Sequence, residues 1–160
     1  MTSELTRPPD VRPDRPRPTP ADRVSRLADA VLDRSVPLLR IALGVVFVWF
    51  GALKVAGASP VRDLVAATVP FLPGSWFVPA VGVFEVLAGA TLVVAVRVRL
   101  VAALVALHLL GTFLVLVVQP AQAFQRGNPL LLSTTGEFVV KNLVLVTAAL
   151  VVVRHHRRRR

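Results

Sequence analysis

Residues 100–118 read LVAALVALHLLGTFLVLVV, nineteen positions without a formal charge. A helix rises about 1.5 Å per residue, so this run alone approaches the roughly 30 Å of a bilayer's hydrocarbon core. Its only polar side chains are His108 and Thr112. Three further apolar runs surround it, at 36–57, 77–96 and 137–153, the last of them short unless residues 130–136 extend it. Arg40 and Lys54 lie near the ends of the first run, where long side chains reach headgroups. Glu85 is the only charge of the second, and Pro79 is expected in its first turn. Glu137 and Lys141 fall in the fourth. The sequence therefore predicts an all-α protein, a four-helix transmembrane bundle over residues 36–153.

The flanks have a different character. Residues 1–20 are rich in Pro and alternating charge, a composition that cannot bury a core and predicts a disordered cytoplasmic tail. Over 21–34, Val24, Leu27, Ala28, Val31 and Leu32 recur at helical spacing among Arg23, Arg26 and Arg34, which predicts an amphipathic juxtamembrane helix. Residues 154–160, RHHRRRR, read as a basic cytoplasmic tail. Between the first two runs, Pro60, Pro70 and Pro73 forbid one long helix. Val61, Leu64, Val65, Thr68 and Val69 predict a short surface helix there. Fifteen of the 19 Lys and Arg residues fall on the side of the two termini and the 97–99 turn, so both termini are expected in the cytoplasm. The net charge of +10 thus points to anionic inner-leaflet headgroups rather than to nucleic acid.

Several chemistries are excluded. The chain has no Cys, hence no disulfide, thiolate metal site or thiol relay. Its histidines are His108, His155 and His156, and Met1 is its only Met, so haem has no axial pair within the membrane. One His with two Glu is a poor metal set beside two lysines, and neither a metal nor an intrinsic cofactor is expected. What remains is a group of ionisable and polar residues at membrane depth, where a charge is costly and marks a candidate site. Alternating helix direction brings Lys54, Glu85, Thr112, Glu137, Lys141, Asn142 and the deeper His108 toward one end of the bundle. They are expected to converge as a buried polar cluster and candidate ligand site. Alternatives stay open: the Lys–Glu pairs fix helix register, Lys54 snorkels, and His108 is a hydrogen-bonded core residue. Gly44, Gly51, Gly82, Gly89 and Gly111 are expected at close helix contacts.

LLRIALGVVFVWFGALKVAG (38–57), VGVFEVLAGATLV (81–93) and GEFVVKNLVLVTAALVV (136–152) together resemble DoxX-like membrane proteins, most of all the branch containing the reactive-chlorine-resistance inner-membrane protein. The resemblance carries over Arg40, Gly51, Lys54, Glu85 and Lys141. It implies a role in redox or oxidative-stress physiology, since some members are small subunits of a thiosulfate:quinone oxidoreductase. The expectation is a membrane subunit that is not an enzyme on its own, with quinone as ligand. An oxidoreductase subunit and a second copy of the chain are the expected protein partners. The alternatives are a small-solute or proton-coupled transporter, and a membrane scaffold for a partner protein.

Overall fold

A computed structural model describes residues 20–158, with side chains from Val24 to His156. The expected disordered tail lies outside these residues except for Pro20. The described chain divides at Asp33 into two units. In the first unit, α1 (Pro20–Asp33) is an amphipathic helix whose Val24, Leu27, Val31 and Leu32 are all exposed.

The second unit holds the other helices: α2 (Ser35–Val55), α3 (Arg62–Thr68), α4 (Gly74–Val93), α5 (Val98–Thr112), α6 (Leu114–Val118), α7 (Pro120–Ala123) and α8 (Thr134–Arg158). Four segments are long and apolar enough to cross a membrane: α2, α4, the run Val98–Val118 formed by α5 and α6, and α8 as far as His156. Among the described residues no strand occurs, only an isolated antiparallel bridge between Phe124 and Leu132.

Helix ends follow local chemistry. α4 starts at Gly74, three residues ahead of the expected run, because the extended Pro73 offers its carbonyl to the N–H groups of Trp76 and Phe77. Pro79 consequently lies inside α4, not in its first turn as the sequence suggested. α8 continues through Arg154, since neither Gly nor Pro follows Val153 to stop it. The third span is interrupted at Phe113, where i to i−3 bonds from Phe113 to Leu110 and from Leu116 to Phe113 tighten the helix.

α2 and α4 both close with a Schellman turn. Ala58 N–H reaches Leu53 O at 2.9 Å and Gly57 N–H reaches Lys54 O at 3.3 Å. The equivalent bonds after α4 run from Val96 to Thr91 and from Ala95 to Leu92. The left-handed position is Gly57 (φ 71) in the first turn but Ala95 (φ 63) in the second, where a β-carbon is strained. Ala95→Gly is expected to stabilise the protein by about 0.5–1 kcal/mol, read as a raised unfolding midpoint in detergent. Gly57→Ala should lower that midpoint.

The two halves of the bundle differ in packing. At the end containing the 94–97 turn, Leu92, Ala102, Val105, Ala149 and Val152 are fully buried in one apolar core with Leu43, Phe47 and Val146. Arg40 holds this end by donating from Nη1 to the carbonyls of Leu92 and Val93, the last turn of α4, where a cation meets the negative end of the helix dipole. The opposite end, roofed by α3, is hollow.

Candidate functional site

The hollow is a cavity of about 730 Å³ lined from α2, α3, α4, the third span and α8. Its walls are mostly apolar; Phe50, Val65, Phe77, Val81, Val115 and Leu145 are representative. The roof is fixed by α3, whose Leu64 packs with Val115 and Val139, and by Gln119 Nε2, which donates to Ala67 O at 2.9 Å.

Three ionisable side chains meet on its wall. Lys54 Nζ lies 2.6 Å from Glu85 Oε2, and His108 Nε2 lies 2.9 Å from Glu85 Oε1. Lys54 and Glu85 are only 8% and 6% exposed. A carboxylate buried to this degree needs a counter-charge and hydrogen bonds on both oxygens, and Lys54 and His108 provide them. His108 is further held between rings, edge-on to Phe47 at 6.1 Å and tilted against Phe84 at 5.4 Å.

Glycines make the Lys54–Glu85 approach possible. A β-carbon on Gly51 would stand 2.6 Å from Gly82 O and 2.9 Å from Glu85 Cβ. On Gly82 it would stand 2.7 Å from Gly51 O and 2.8 Å from Lys54 Cβ. Each glycine precedes its charged residue by three positions, so glycine and charge share one helix face. Two turns away, Gly44 meets Gly89 in the same manner.

A second polar group lines the same cavity. Thr112 Oγ1 donates to Leu109 O at 2.6 Å and accepts from Asn142 Nδ2 at 2.9 Å. The expected single cluster is thus divided. Lys54, Glu85 and His108 form one unit, and Thr112 and Asn142 a second. Glu137 and Lys141 pair with each other at 3.7 Å along α8, with side chains 58% and 76% exposed. Lys141 still reaches the cavity lining, whereas Glu137 does not. Phe47, Phe84, Thr68 and Gln119 were not anticipated. Phe47 carried the available signal, lying two turns before Lys54 on the stripe 47, 51, 54. Among the described residues, no three His, Cys, Asp or Glu side chains gather as a metal ion would require.

Comparison with curated proteins and with solved structures gives no match. The sequence pattern of the DoxX family matches residues 35–118, just over half of the chain. That segment contains Lys54, Glu85, His108 and Thr112, and it ends before α8 contributes Lys141 and Asn142. With its four apolar spans, the chain is a multi-pass membrane protein that belongs to the DoxX family.

Proposed function

We propose that this protein is a non-catalytic membrane subunit of redox or oxidative-stress physiology that binds a quinone-type molecule, and that within its family it lies nearest the reactive-chlorine-resistance branch. The observation that carries this reading is the one-ended cavity. It offers an apolar volume suited to a ring and tail, with a few fixed polar groups to orient a head, the usual composition of a small-molecule site. The half beneath it is filled by a buried apolar core, which favours a binding site over a conduit. No residue set here carries electrons, so the redox partner is a separate oxidoreductase subunit.

The distribution of basic residues supports an orientation with both termini cytoplasmic and the α3 roof outside. The cavity then lies in the outer half of the membrane beneath that roof, and α1 lies on anionic inner-leaflet headgroups.

Binding of a short-tailed benzoquinone to the purified chain in detergent tests the reading. Saturable binding is expected, and Val65→Trp, which places a ring in the cavity from α3, should abolish it. In cells, deletion of the gene should raise sensitivity to hypochlorite, peroxide or thiol stress. Unchanged sensitivity to all three would refute the physiological half of the proposal.

A further inference from the structure

Building on the quinone reading, we infer that the cavity selects a hydroxyl-bearing head group, as in a hydroquinone or phenol, over one that offers only carbonyl oxygens. The inference comes from which polar atoms remain unused. Glu85, paired with an ammonium, accepts on both oxygens, so His108 Nε2 donates its N–H. In the tautomer that donates from Nε2, Nδ1 carries a lone pair, and no side chain or backbone group among the described residues bonds to it.

The same reasoning orients Asn142. Thr112 has one hydroxyl proton, and it goes to Leu109 O. The hydroxyl can therefore only accept from Asn142, which must present its NH2 there. Asn142 Oδ1 is left without a partner. Among the described residues no fully buried side-chain nitrogen or oxygen lacks a partner, so these two free acceptors face open space. Both residues line the cavity.

Where an occupant displaces water from His108 Nδ1 or Asn142 Oδ1, that acceptor requires a donor from it. A hydroxyl donates to either one and keeps its own lone pairs for a donor such as Lys54, which lines the same cavity. A carbonyl only accepts, leaving both unpaired. The remaining N–H groups of Lys54 serve either head alike and do not discriminate. One unpaired acceptor in apolar surroundings weakens binding by about ten-fold.

The test titrates the purified full chain, in detergent micelles and without oxygen, with three probes: a short-tailed benzohydroquinone, the matching benzoquinone, and the dimethyl ether of the hydroquinone. The hydroquinone is expected to bind about ten-fold more tightly than the other two. Asn142→Leu and His108→Phe should each shrink that preference, and if a variant does not fold, the native-chain comparison decides alone. Equal affinity for all three probes, or tighter quinone binding, overturns the inference while leaving the quinone reading standing. Saturable binding of none of them overturns both.

Discussion

Glu85→Leu is expected to destabilise the protein by about 3–5 kcal/mol, the largest effect of any single side-chain truncation in the bundle. The hydrogen bonds lost are a minor part, because such bonds between membrane helices contribute only about 0.6 kcal/mol each on average. Most of the loss arises at Lys54, a residue only 8% exposed, whose ammonium would be stripped of the one counter-charge it has among the described residues. Two further variants separate these contributions. Lys54→Met alone strands the carboxylate and should be nearly as damaging. Lys54→Met combined with Glu85→Leu removes both charges and should recover most of the loss, because an apolar pair of similar volume packs well there. Unfolding midpoints of the four proteins in one detergent give the coupling directly. A double variant no more stable than the singles would show that the charges do not act through each other.

Gly51→Val is expected to destabilise by about 3 kcal/mol, for a reason unrelated to charge. The atoms a β-carbon would meet at Gly51 include Gly82 O at 2.6 Å and Val86 N at 2.8 Å. Both are backbone, so no side-chain rotation relieves the collision, and α2 must move away from α4. That movement also pulls Lys54 from Glu85, one turn along. Gly111 supplies the control, because a β-carbon there meets nothing within 4 Å. Gly111→Ala should be neutral or gain up to about 1 kcal/mol from helix propensity. Thermal unfolding of both variants, with recovery of a monodisperse species on gel filtration, distinguishes a specific contact from general intolerance of helix glycines.

The spans were legible in the sequence because a bilayer imposes a length and a polarity that few other settings require. Lys54 and Glu85 were legible for a related reason: an isolated charge inside an apolar run has to be paired. How the polar residues divided was not legible. α8 is apolar on most faces, so periodicity does not say which side turns inward, and Glu137 could not be separated from Asn142 by spacing alone. The structure turns Asn142 toward Thr112 and leaves the Glu137–Lys141 pair on the surface. The start of α4 was misplaced because Pro79 was read as a first-turn residue, although Pro73 supplies the capping carbonyl. The close contacts of Gly44, Gly51, Gly82 and Gly89 were foreseen, but Gly111, expected among them, turns to open space; which atoms a glycine meets depends on helix rotation and emerges only with coordinates.

The packed half of the bundle has a consequence for direction. Leu92, Ala102, Val105, Ala149 and Val152 fill the end held by Arg40 with fully buried apolar side chains, which offer a proton no polar relay. An occupant that gained or lost protons at His108 would therefore exchange them with one compartment only. With the orientation proposed from the basic residues, that compartment is the exterior, and electron transfer to or from the occupant would be tied to acidity on that side of the membrane alone.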